Sequence, residues 1–156
     1  MHREYFSLEV KNVDWVDNED DPDQPAFKVE FDDGRERLLE LFSGPNGDLL
    51  DADEIDFTYR LQSGVDDPDA HGVVALTDRL TGDYVCELNA PASDVLPFVS
   101  AARRYCEKVG DDARYVVTFI VDDEELIEYE KQTFLVYGPD GDLLRKHSSI
   151  PSGVEI

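Results

Sequence analysis

Apolar and polar residues alternate with a period of two over much of this chain. Phe6, Leu8 and Val10 share one side, with Ser7, Glu9 and Lys11 on the other, which predicts a half-buried strand. Val13, Trp15 and Val16 are read as its extension. An acidic loop with two prolines follows, from Asp17 to Pro25. Phe27, Val29 and Phe31 then alternate with Lys28, Glu30 and Asp32 as a second strand, and Asp33-Gly34 reads as a type I′ hairpin turn. The return arm, Arg35 to Phe42, carries Leu38, Leu39, Leu41 and Phe42. These could form a helical stripe, but the turns on both sides favour a strand. Ile55, Phe57, Tyr59 and Leu61 mark a further strand, and 73–77 and 84–88 flank a turn as a hairpin.

One stretch changes period. Val95, Phe98, Val99, Ala102, Cys106 and Val109 recur at helical spacing, with Arg103, Arg104, Glu107 and Lys108 mostly between them. Ser93 or Asp94 is placed to cap this helix, Pro97 falls in its first turn, and Gly110 stands where the helix stops. Beyond it, Tyr115 to Val121 is apolar on both faces, as a covered central strand should be. Asp122 to Glu125 makes a turn, Leu126 to Tyr137 reads as one long return strand, and Leu143 to Ile150 as another. Gly44-Pro45-Asn46-Gly47-Asp48-Leu49-Leu50 recurs as Gly138-Pro139-Asp140-Gly141-Asp142-Leu143-Leu144, and each copy is a turn sequence. Neither copy has the following helix or the lysine of a phosphate loop.

Hairpins, one helix and more hairpins predict an α+β fold. It would be a mainly antiparallel sheet of about seven to nine strands, with one principal helix (93–109) packed on a face. The rival reading is a two-sheet β-sandwich with the helix as a lid. Residues 1–156 are expected to form a single globular domain, since a chain this long buries enough surface for a core.

Charge changes the picture more than any motif does. The chain has 37 Asp plus Glu against 14 Lys plus Arg, a formal net charge of -23. The acids recur in almost every block, while hydrophobic residues still make up 41% of the chain, so the composition is that of an acid-coated globule rather than a disordered one. Self-repulsion on this scale destabilises a compact state. Concentrated salt relieves it, because the Debye length falls from about 10 Å at 0.1 M to about 3 Å at 1 M. With arginine favoured over lysine and Asp over Glu, these are the habits of cytoplasmic proteins from extreme halophiles. Hydrated cations are expected at such a surface. Direct binding to nucleic acid or to an anionic membrane is disfavoured. The chain shows no secretory leader and no membrane-span-length apolar run, so a cytoplasmic location is expected.

Chemistry is hard to find in the sequence. Cys86 and Cys106 are too few for a disulfide framework and are read as reduced thiols, with a single bridge as the alternative. His2, His71 and His147 have no zinc spacing. Asp67 to Asp78 imitates a calcium loop but departs from it at His71, at its last acid and in the strand that follows. Ser148 and Ser149 beside His147 make no catalytic geometry by adjacency alone. No catalytic, cofactor or metal residue is therefore assigned. In an acidic shell the rarer signal is positive charge. Arg103 and Arg104 with Tyr105, and Arg145, Lys146 and His147, are the candidates for a partner or anion contact.

The segments Tyr5 to Trp15, Glu87 to Ala90, Ala101 to Tyr105, Thr133 to Tyr137 and Ile150 to Ile156 resemble a haloarchaeal family of small acidic proteins, known only as a domain of unknown function. The resemblance implies a single domain and brings no activity or cofactor. The functional expectation is a non-enzymatic binding or adaptor module with a protein partner. A carboxylate-based enzyme, with or without a divalent cation, is the alternative, and an acidic mimic of nucleic acid the second alternative.

Overall fold

A computed structural model describes residues 6–13, 15–18, 21–32, 34–44, 47–64, 66–79, 81–82, 84–110 and 115–150. Among them, eight strands run in chain order as β1 (Phe6–Lys11), β2 (Ala26–Phe31), β3 (Ile55–Leu61), β4 (His71–Asp78), β5 (Tyr84–Pro91), β6 (Tyr115–Val121), β7 (Glu124–Lys131) and β8 (Leu135–Tyr137). The helices are α1 (Trp15–Asn18), α2 (Arg35–Leu41) and α3 (Ala92–Val109), with short 3-10 turns at Ala52–Glu54 and Arg145–His147.

The strands divide into two four-stranded sheets, β1-β2-β6-β7 and β5-β4-β3-β8. The fold is α+β with one long helix, and it takes the two-sheet form. Hairpins account for most of the pairing, but β2 with β6 and β3 with β8 run parallel. The sheets face each other: the Phe57 ring lies 6.4 Å from Tyr115 and 6.0 Å from Tyr129 across the gap. Helices plug both ends of that gap. Phe98 of α3 packs on Phe27, Tyr115 and Phe134 where β2 and β6 begin. Phe42, just beyond α2, packs on Phe119 and Tyr129 farther along. The buried side chains form one continuous apolar cluster. Its polar atoms find partners: the hydroxyls of Tyr59, Tyr115 and Tyr129 donate to the carbonyls of Ala90, Thr133 and Leu50.

Several expectations are corrected. Arg35 to Leu41 is helix, not strand. Gly34 does adopt the left-handed conformation at φ 94°, but as the residue entering α2; Asp33 lies outside the described residues. The reason is tertiary. β2 already has β1 on one side and β6 on the other, so a return arm has no ladder to join. The helix satisfies its own backbone and buries Leu38 and Phe42, four residues apart, on one face. Val13 to Val16 do not extend β1. Asn12, at φ 63°, ends the strand and Trp15 starts α1.

Leu126 to Tyr137 is not one strand. The chain leaves the first sheet at Lys131 and enters the second at Leu135. Leu143 to Ile150 is not a strand either. Leu143 and Ser149 make single bridges on either side of the Arg145–His147 turn. Helix α3 begins at Ala92 with Pro91 as its cap, ahead of Ser93 and Asp94. Pro97 is therefore its sixth residue, and the exposed Ser93 carbonyl loses its helical donor there. Cys86 and Cys106 form no disulfide.

The repeated Gly-Pro segments fold alike. In the first, Gly44 N–H donates to Asp48 O, Gly47 N–H to Gly44 O and Leu50 N–H to Phe42 O; in the second, Gly138, Gly141 and Leu144 repeat all three bonds. Gly47 and Gly141 both have positive φ, 84° and 87°.

Candidate functional site

Two surface features gather polar and charged side chains. The first gathers the basic residues. Helix α3 and the Arg145–His147 turn touch, and the Arg103 guanidinium donates to the Lys146 carbonyl across 43 residues of sequence. The turn is held from below. Ser148 is buried, donates its hydroxyl to Leu144 O at 2.8 Å and accepts the Val136 N–H at 2.9 Å, so the turn is tied to β8. Phe134 and Ser149 exchange both backbone hydrogen bonds, which anchors the far side. Sequence neighbours of His147 thus serve as its supports. Arg103, Arg104, Arg145 and Lys146 are exposed and His147 half-buried. A hollow of about 310 Å³ lies beside them, lined by Ser100, Arg103, Arg104 and Glu107. Tyr105 does not join them. Its ring meets buried Trp15 edge to face at 6.5 Å, while Lys108 lies over the same indole at 5.9 Å.

The second feature is one the sequence did not show. The outer face of the sheet β5-β4-β3-β8 holds an open groove of about 680 Å³. Strand register lays out its floor. Thr58 stands opposite Ala75, and Ala75 opposite Glu87. In the next row Tyr137, Arg60 and Val73 line up. Small side chains in the middle and large ones around them make the hollow. The walls differ in chemistry: Arg60 is steadied by a 3.3 Å bond from Nη2 to the Pro139 carbonyl, and Glu87 lies two strands away in the neighbouring row.

Tyr84 reaches this face through an irregularity. Leu76 pairs with Cys86 but Thr77 pairs with Tyr84, so Val85 is the extra residue of a bulge in the register. By simple alternation Tyr84 would share the buried side of Cys86, Leu88 and Ala90. The bulge re-aims it outward, where it is 63% exposed. The one advance sign was the apolar run 73–76, in which Val73 and Ala75 stand where a solvent-facing side should be polar.

The remaining candidates are structural. Asp67 accepts the Asp69 N–H through Oδ1, and Asp78 closes β4, so the calcium-like stretch is a turn followed by a strand. Among the described residues no three His, Cys, Asp or Glu side chains are grouped as metal ligands, and no helix is long and apolar enough to cross a membrane.

The profile of a family of unknown function, DUF5793, matches residues 1–156. The chain belongs to that family. No curated protein and no solved structure matches it. Membership in DUF5793 agrees with the resemblance as far as a domain of unknown function spanning the chain, and it carries no activity to transfer.

Proposed function

We propose that this DUF5793 protein is a non-catalytic binding module of the salt-rich cytoplasm of a halophilic archaeon, and that it holds a segment of a protein partner in the outer groove of its second sheet. One observation carries the reading: a bulge turns Tyr84 out of the core onto an open groove floored by Val73 and Ala75. An exposed tyrosine on a partly apolar floor is a natural anchor, because it offers contact area at low entropic cost. Arg60 and Glu87 add one charge of each sign, so the groove is locally neutral on a strongly acidic body. A neutral segment with donors and acceptors of its own fits it.

The groove suits binding better than reaction. Among the described residues Glu87 is the only carboxylate in its lining, which gives no support to the acid pair that a carboxylate-based enzyme would use. Exposed acids on β1, β7 and several turns, such as Glu9, Glu124 and Asp140, support a shell around the molecule rather than a phosphate-like row.

The test places a photo-crosslinking amino acid at position 84, and separately at position 9 on the other sheet, in molar KCl. Adduct formation is expected at 84 alone and should be lost when Ala75→Trp fills the groove. Equal adducts at both positions, or an adduct indifferent to Ala75→Trp, would remove the groove as the site.

A further inference from the structure

A molecule with 37 acids should pair its few cations readily, and several are paired: Arg35 with Glu124, Arg79 with Asp56, Lys28 with Glu30. Arg60 and Lys108 are single exceptions among the described residues. The junction of α3 and the Arg145–His147 turn differs in gathering four. Among the described residues no carboxylate lies within 4 Å of Arg103, Arg104, Arg145 or Lys146, although Glu107 stands on the same helix face. Two basic segments far apart in sequence are brought together here, and the Arg103 bond to the Lys146 carbonyl fixes their spacing. We propose that this cationic junction docks an acidic segment of a partner protein, one carboxylate of which enters the hollow between Ser100, Arg103 and Arg104. The proposal stands independently of the groove, which lies on another element set; together they would make the protein a two-sided adaptor.

The chemistry selects this occupant. A planar guanidinium grips a carboxylate through two parallel hydrogen bonds, and a Ser100 hydroxyl can add a third. Such contact survives brine, where long-range steering is screened out beyond about 3 Å at 1 M salt. Nucleic acid fits poorly. Four exposed cations on a chain of net charge -23 could neutralise few phosphates, and such neutralisation supplies nucleic-acid affinity. Glu107 in the same lining disfavours a second anionic group there.

The experiment titrates a fluorescent decaglutamate peptide into the full chain from 0.2 to 2 M KCl, reading anisotropy and backbone amide shifts. Binding should weaken with salt yet persist at 2 M, and shifts should centre on 100–107 and 145–148. Arg104→Glu with Arg145→Glu should weaken it at least about tenfold, while Arg35→Glu should leave it unchanged. Arg104→Gln with Arg145→Gln repeats the test should charge reversal disturb folding. Unchanged affinity in both pairs would overturn the proposal. So would equal binding of a decathymidylate, or sedimentation showing that copies of this chain occupy the junction instead.

Discussion

Single residues set the finest features. Gly72 is one: a Cβ there would lie 2.4 Å from the Arg60 carbonyl and 2.6 Å from the Tyr59 ring, so only glycine lets β4 lie this close to β3. Tyr59, Tyr115 and Tyr129 are another set. Burial pushes all three phenols above their ordinary value, and nearby carboxylates add to it: Asp94 for Tyr59, Asp56 for Tyr115, Asp51 and Glu54 for Tyr129. The sign follows. Their protonated forms favour the fold, so this contribution is complete below about pH 10, the unfolded value, and is lost as pH climbs through the raised folded values. These phenols should therefore ionise together with unfolding. Absorbance at 295 nm and circular dichroism followed to high pH should move in step for them; smooth ionisation near pH 10 with the fold intact would contradict this. Tyr84 is the opposite case, a tyrosine that one bulge residue keeps in solvent.

At the scale of elements, local sequence decided turns and tertiary context decided what lay between them. The Gly-Pro segments make identical hydrogen bonds although one follows a helix and the other a strand. A positive-φ glycine, Gly47 or Gly141, fixes that geometry from within; Pro45 and Asn46 lie outside the described residues. The segment before the first copy carries no such instruction. Leu38, Leu39, Leu41 and Phe42 satisfy either period, and the full ladder on both sides of β2 chooses helix. The α2 end then becomes a core plug. Phe42→Ala should cost about 3–5 kcal/mol, whereas exposed Arg37→Ala, which loses only a 3.4 Å surface pair with Glu40, should stay within about 0.5 kcal/mol. Urea unfolding in constant high salt would measure both, and a small loss for Phe42→Ala would mean that the end of the gap is not sealed there. The break between β7 and β8 escaped the sequence for a related reason. Residues 126–137 are strand-like throughout, and only the division into two sheets requires the chain to cross at Gln132 to Phe134.

At the scale of the whole molecule, charge governs behaviour. With a net charge of -23 on one compact body, self-repulsion opposes folding wherever the solvent does not screen it. The melting temperature should climb by well over about 5 °C between 0.1 and 2 M KCl, since a gain of even 1 kcal/mol moves a domain of this size by several degrees. Sodium sulfate of equal ionic strength separates screening from salt-specific exclusion; identical melting in dilute and concentrated KCl would refute the charge argument. Composition, the strand and helix periods and the turn residues were legible in the chain itself, because each follows from a side chain's own preference or from its near neighbours. Arg103, Arg104, Arg145 and Lys146 stood out in the sequence only as its densest basic spots. Their meeting was not legible, nor was the helical choice of α2, the split into two sheets or the outward turn of Tyr84. Each of these depends on which backbone edges are already occupied by strands distant in sequence, and that is decided only when the whole chain has packed.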